Sequence, residues 1–158
     1  GDARRRTGDD RRARGARRVA LAGGAVAVSA REVAQAAVVA ALRVALGDAA
    51  AVFDAPPVRA ALPHVVVEQP ELVDWSTKDW RGREGRIVVA AYDGGERPVR
   101  LRALAARIED AVEAVPAAPG DGWRVATLRF VRSRVARAPG DRWVATSEFV
   151  VRLYREGE

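Results

Sequence analysis

The fold is decided by the segments WRVATLRFVRSRVAR (residues 123–137), APGD (138–141) and RWVATSEFVVRLY (142–154). The two flanking segments are rich in β-branched and aromatic residues, which favour strands. The four residues between them, Ala138-Pro139-Gly140-Asp141, are typical of a turn. Together they predict a long antiparallel β-hairpin at the end of the chain.

A loop at 138–141 fixes the register of this hairpin. One predicted face is apolar and pairs Phe130 with Phe149, Leu128 with Val151, and Ala126 with Leu153. The other face pairs Val131 with Glu148 and Thr127 with Arg152, and places Arg129 diagonal to Glu148. We therefore expect one face in the core, where the two phenylalanines touch, and one face in solvent.

Two helices are predicted upstream of the hairpin. Ser29-Ala30-Arg31-Glu32 is a capping box that begins the first helix, which is apolar nearly all round, runs to Leu46 and ends at Gly47. Such a helix is expected to be covered on several sides, by its own core or by a neighbouring subunit. The second helix starts with Pro98 in its first turn, and apolar residues recur at helical spacing until Pro116.

Short apolar runs predict the remaining strands. Val52-Phe53-Asp54 and Val65-Val66-Val67 are bounded by prolines, and residues 87–92 form a third run closed by Asp93-Gly94-Gly95. The element order predicts an α+β, two-layer domain, with helices packed on a mostly antiparallel sheet that ends in a long C-terminal β-hairpin. We expect this domain to occupy residues 29–156.

The positive charge is concentrated at the start of the chain. The 158 residues have a formal charge of +6, but residues 1–18 hold eight arginines against three aspartates, which leaves only +1 for the rest. Residues 1–28 are therefore expected to be an extension that is disordered on its own or lies outside the domain. Its candidate nucleic-acid contacts are Arg4, Arg5, Arg6, Arg11 and Arg12.

An apolar stretch follows the arginines. Residues 19–28 imitate a secretory signal, although ten apolar residues are too few to cross a bilayer. Three interpretations of residues 1–28 stay open: a genuine arm, a signal segment of an exported domain, or an extension that arises from the choice of start site.

No catalytic or ligand-binding pattern is recognisable. The chain has no cysteine and one histidine, His64, which stands beside a valine strand with no obvious carboxylate or nucleophile. Neither a phosphate-binding loop nor a metal-ligand cluster can be assembled. The sequence predicts a protein that is not an enzyme and uses no cofactor or metal.

The segment 74–85 is polar, yet it holds two of the four tryptophans and the only lysine. It is interpreted as a long loop. Trp75 and Trp80 could fold back over the sheet, or they could anchor a subunit or partner interface, since Trp and Arg are favoured there. The candidate interface residues are Asp74, Trp75, Ser76, Thr77, Lys78, Trp80, Arg81 and Arg83.

Over about residues 33–155 the chain resembles the tail terminator, or tail-completion, proteins of long-tailed phages and gene transfer agents. The resemblance rests on four pieces in order: VFDAPP (52–57), LPHVVV (62–67), DWST (74–77) leading through Gly82-Arg83-Glu84 into the strand at Ile87, and LRF (128–130) with the final hairpin. The family often has an aromatic residue where His64 stands and a longer aromatic strand end at residues 90–92. The arginine-rich extension is not part of the family pattern.

The resemblance implies a homo-oligomeric ring, usually a hexamer. Such a ring binds the tail tube protein, stops tube polymerisation and offers a surface to the head connector (stopper) protein, and DNA passes through its lumen. The ring would assemble in the bacterial cytoplasm and then lie at the tail neck of the virion, with no membrane involved. The alternatives are a nucleic-acid-binding protein that uses the basic arm, or another head–tail connector (neck) protein of similar architecture.

Overall fold

The computed structural model describes residues 28–156 and confirms the predicted α+β class. Helices α1 (Ala30–Leu46) and α2 (Val99–Glu113) pack on one face of a six-stranded sheet. The strands are β1 (Ala51–Phe53), β2 (His64–Val67), β3 (Glu71–Asp74), β4 (Trp80–Gly94), β5 (Trp123–Ala138) and β6 (Arg142–Glu156).

The sheet is built around the long strands β4 and β6. Its order is β1-β2-β4-β6-β5, and β3 pairs with the first part of β4 on the same edge as β2. Of the strand pairs in the described part of the chain, only β1 and β2 run parallel, and the other neighbours are antiparallel. Among the described residues β5 therefore lies at one edge of the sheet, paired only with β6.

Helix α1 begins and ends as the sequence predicts. The Ser29 hydroxyl accepts a hydrogen bond from the Glu32 amide at 3.2 Å and donates one to the Glu32 carboxylate at 2.9 Å. Gly47 ends the helix with a φ of +52°, and its N–H donates to the Arg43 carbonyl. Helix α1 is not a central core helix of the described chain, because one face packs on the core while Val44 on the other side is 86% exposed. Cover of that side by a neighbouring subunit stays a prediction.

The core lies between the two helices and the inner face of the sheet. Helix α2 buries the predicted stripe Leu101, Leu104, Ala105, Ile108 and Val112. It begins one residue later than expected, because Pro98 is the N-cap and not a member of the first turn. From the sheet, the core receives alternate side chains of the long strands, with Phe149 and Ile87 fully buried among them.

The register of the β5–β6 hairpin is confirmed only in its middle. Phe130 pairs with Phe149, Leu128 with Val151 and Thr127 with Arg152, as predicted. Two β-bulges, at Ala126 and Val131, change the pairing outside this region, so that Val125 faces Leu153 and Arg132 faces Glu148. The predicted pairs Ala126–Leu153 and Val131–Glu148 are therefore wrong.

Two further predictions about the hairpin need correction. Ala138 pairs with Arg142, which leaves a loop of residues 139–141 instead of 138–141. Phe130 contacts Phe149 edge-on at 6.0 Å between ring centroids, but it is 37% exposed and is not a core residue. The reason is that Phe130 lies on an edge strand, level with the last residue of α2, where the Glu113 carboxylate accepts a hydrogen bond from the Phe130 amide at 3.0 Å.

The segment interpreted as one long loop, residues 74–85, is mostly a second hairpin. Strand β3 ends at Asp74 and β4 already begins at Trp80, so the third predicted strand starts seven residues before Ile87. In residues 28–156 there is no helix long and apolar enough to cross a membrane.

Candidate functional site

The candidate site is the tip of the β3–β4 hairpin, residues 74–83, which we call the tryptophan tip. Pairing continues past the end of β3, because the Trp75 amide donates to the Gly82 carbonyl and the Thr77 amide donates to the Trp80 carbonyl, both at 2.9 Å. The Thr77 hydroxyl accepts from the amides of Asp79 and Trp80, each at 3.2 Å. The backbone of the tip is thus held by its own hydrogen bonds.

Gly82 permits the close crossing of the two strands at the tip. A Cβ atom added there would overlap the backbone carbonyl of Trp75 and the Trp80 ring. Only glycine leaves room for this approach. The Ser76 side chain also lies close to Gly82, and its hydroxyl accepts a hydrogen bond from the Gly82 amide at 2.9 Å.

The two tryptophans lie together on the face of the sheet opposite the helices. Their ring centroids are 5.1 Å apart, and Trp80 also lies 5.6 Å from the ring of Tyr154 on β6. The guanidinium of Arg152 lies 5.1 Å from the centroid of the Trp75 ring, within cation–π distance. Both tryptophans fold back over the end of the sheet and remain half-buried.

Charged side chains surround this aromatic cluster. Asp74 accepts hydrogen bonds from the Ser76 hydroxyl at 2.6 Å and from Arg83 at 3.0 Å. Lys78 and Arg81 are exposed, and among the described residues neither forms an ion pair. The tip therefore presents half-exposed aromatic rings beside two cationic side chains in solvent.

The structure brings most of the predicted interface residues into one patch. Contacts within the tip join Asp74, Trp75, Ser76, Thr77, Trp80 and Arg83, whereas Lys78 and Arg81 extend from it into solvent. The predicted nucleic-acid contacts at Arg4, Arg5, Arg6, Arg11 and Arg12 lie outside the described residues.

His64 lies in a different part of the same sheet face. It is 5% exposed and packs between Phe53 and Tyr92, with the ring of Tyr92 stacked at 5.2 Å. Its Nδ1 lies 3.3 Å from the Ala61 carbonyl, which accepts a hydrogen bond from it. The neighbouring cleft, of about 670 Å³, is lined by prolines, by the carboxylates of Asp54 and Glu68, and by Tyr92 and Arg142.

One buried carboxylate has a strongly altered environment. Asp93, at the end of β4, is 3% exposed and forms two hydrogen bonds with the Arg100 guanidinium, at 2.6 and 2.8 Å. These bonds, and a further one from the Gly94 amide, hold the pKa of Asp93 below its ordinary value despite burial. This pair joins the end of β4 to the first turn of α2, which is a structural role.

Within residues 28–156 no group of histidines and carboxylates is placed to hold a metal ion. The feature that sequence reasoning missed is the distribution of arginines along β5, which carries five of them and no acidic residue. Some of the apolar residues of β5 are separated by odd numbers of residues, which indicates bulges, and the bulges could have shown that the arginines share one face.

Comparison with known proteins agrees with this fold. The family described as tail completion protein gp17 matches residues 26–153, from just before α1 to near the end of β6. No curated protein matches the sequence.

Among solved structures, the chain is similar to one in a structure titled "Virion of native gene transfer agent (GTA) particle". The TM-score is 0.65 at 26% sequence identity, and the match covers 76% of this chain and 93% of the other. Since the family match includes both described helices, strands β1 to β5 and most of β6, the chain belongs to the tail completion protein gp17 family, which confirms the resemblance.

Proposed function

We propose that this chain is a structural protein that forms a ring at the end of the tail tube of a phage or gene transfer agent particle. The ring, expected to be a hexamer, ends polymerisation of the tube protein and joins the tail to the head connector. DNA passes through its lumen. The observation that supports this proposal is the family match over residues 26–153, which includes every described helix and strand except the last three residues of β6.

We further propose that the tryptophan tip is the surface that contacts a neighbouring subunit or the tube. Interfaces favour aromatic residues and arginine at their centres, and each such anchor commonly contributes about 2 kcal/mol or more. The hydrogen bonds within the tip hold its backbone, so little conformational entropy is lost when it binds. Its half-exposed rings have apolar area still to bury.

The test replaces Trp75, Trp80 and Arg81 together with alanine. The expected result is a folded protein that no longer closes the ring or no longer docks on tubes. Circular dichroism and thermal unfolding report the fold, native mass spectrometry reports the ring, and electron microscopy of tails reports the cap. A matched control replaces Val58, Arg59 and Val99 with alanine, since all three are exposed and lie away from the tip.

A second variant, Lys78→Glu with Arg81→Glu, covers the case in which the alanine triple fails to fold. Both side chains are exposed, so their reversal leaves the aromatic cluster intact and changes only the surface charge of the tip. Normal rings and normal tail lengths in both tip variants would refute the proposed role of the tip. Capped tails from the control and uncapped tails from the tip variants would support it.

A further inference from the structure

Strand β5 carries a concentration of positive charge that the net charge of the chain does not reveal. Its sixteen residues include Arg124, Arg129, Arg132, Arg134 and Arg137, with no aspartate or glutamate. The chain from residue 19 onward has a formal charge of only +1. The charges of the folded part are therefore segregated, with an all-cationic strand at one edge of the sheet.

The two β-bulges of β5 decide where these arginines point. Side chains alternate between faces along a regular strand, so Arg124, Arg132 and Arg134 would share the core-facing side with Leu128 and Phe130. Each bulge inserts one extra residue and reverses the alternation beyond it. Because of the two bulges, Arg124, Arg132 and Arg134 lie on the same face of the sheet as Arg129, which is the face opposite the core.

Contacts agree with this placement. Arg132 forms an ion pair with Glu148 at 2.8 Å, and Glu148 lies on the face of β6 opposite the buried Ser147 and Phe149. Arg134 pairs in register with Thr146, and the side chains of both arginines border the shallow cleft beside Val88. Bulges at an edge strand commonly redirect side chains in this way.

The resulting row of four arginines, Arg124, Arg129, Arg132 and Arg134, is what we call the arginine row. At about 3.3 Å per residue the row is roughly 30 Å long. Glu148 is the one carboxylate that forms an ion pair with it among the described residues, and Glu148 is shared with Arg86 at 3.6 Å. Arg132 itself remains 78% exposed despite its ion pair.

We infer that the arginine row binds the phosphate backbone of duplex DNA. A long row of like charge without neighbouring acidic residues on its own strand is complementary to the phosphate backbone, which is a polyanion. Arginine suits this contact because its guanidinium forms paired hydrogen bonds with phosphate oxygens. The inference rests on the proposed function, in which DNA passes through a ring of these subunits.

The test measures binding of the full chain to a mixed-sequence duplex of about 30 bp, three turns, as a function of salt. One variant replaces Arg129, Arg132 and Arg134 with glutamine. The matched control replaces Arg59, Arg97 and Arg102, which are exposed and lie outside β5. Both variants keep the arginines of residues 1–18 and lose the same net charge, so a difference between them reports position and not total charge.

We expect the slope of log K against log salt to fall by about one unit for each phosphate contact that the row variant loses. The control should keep a slope close to that of the wild type. Equal slopes in the two variants would overturn the inference. So would a row variant that keeps its DNA slope but loses association with other copies or with tail tubes, since the row would then be a protein interface.

Native mass and tail length, measured on the same variants, separate this inference from the proposed function. If the row variant forms rings, caps tails and keeps the wild-type slope of log K against log salt, DNA binding by the arginine row is refuted and the proposed function is not. The wild-type protein could also fail to form rings and to cap tails, while the row variant still shows a lower slope of log K against log salt than the wild type. That result would refute the tail-cap role and would support DNA contact by the arginine row.

Discussion

Truncating Phe149 to alanine should lower the free energy of unfolding by about 3 to 5 kcal/mol, because its ring is fully buried in the core. Truncating Phe130 should be much milder, although the two rings touch. Full burial of a phenylalanine is worth about 1.5 to 3 kcal/mol. With 37% of Phe130 exposed, we expect a loss of about 1 to 2 kcal/mol.

Urea unfolding followed by tryptophan fluorescence measures both effects. The midpoint urea concentrations are compared among variants that have the same dependence of the unfolding free energy on urea. The double variant should be less damaging than the sum of the single ones, by about 0.5 to 1.5 kcal/mol for the edge-on contact. Phe130→Leu is the control, since it keeps apolar area and removes only the ring. Equal losses for the two alanine variants would refute the conclusion that Phe130 lies at the margin of the core.

Two other outcomes follow from single contacts. Since pairing with Arg100 lowers the folded-state pKa of Asp93, its contribution to stability should be present above about pH 4 and be lost as the pH falls through that lower pKa. In urea unfolding at several pH values, Asp93→Asn should differ from wild type at neutral pH and converge with it in acid; a pH-independent difference would contradict this. Gly85→Ala should separate β3 from β4, because the added methyl group overlaps the Glu71 carbonyl, and faster amide hydrogen exchange at the tip would report it.

The sequence patterns that predicted well were local ones. The capping box at Ser29 and the apolar stripe of α2 depend on neighbours within one helical turn, so their geometry follows from spacing alone. The centre of the final hairpin also followed from pairing apolar residues, since Phe130 and Phe149 share a face and touch. Most of the candidate interface residues lie in one patch, although their segment is a hairpin and not a loop, and their role as an interface stays a prediction.

The bulges were missed because a constant register was assumed. Val125 and Leu128 are three residues apart and Phe130 and Val135 are five apart, whereas same-face residues of a regular strand are separated by even numbers. Each odd interval marks one inserted residue, as the structure has it. The interval does not reveal which residue is inserted, because that depends on contacts with β6.

The β3–β4 hairpin was taken for a loop because its sequence is polar and contains two glycines. Gly82 and Gly85 weaken strand propensity, yet both are needed where another backbone passes too close for a side chain. Tertiary contact therefore overrides local preference here. The same cause explains why Trp80 is half-buried against Tyr154 and Trp75 is half-buried beside Arg152, since both contacts join residues far apart in sequence.

The open edge of β5 has a consequence for subunits before they meet a particle. A long strand with unpaired backbone groups and exposed apolar residues such as Val131 and Val135 is a template for uncontrolled self-association. Bulges and like charges are the means by which edge strands avoid such pairing, and β5 has both. Two copies brought edge to edge would place arginines beside arginines, so we expect this edge to resist uncontrolled pairing of free subunits.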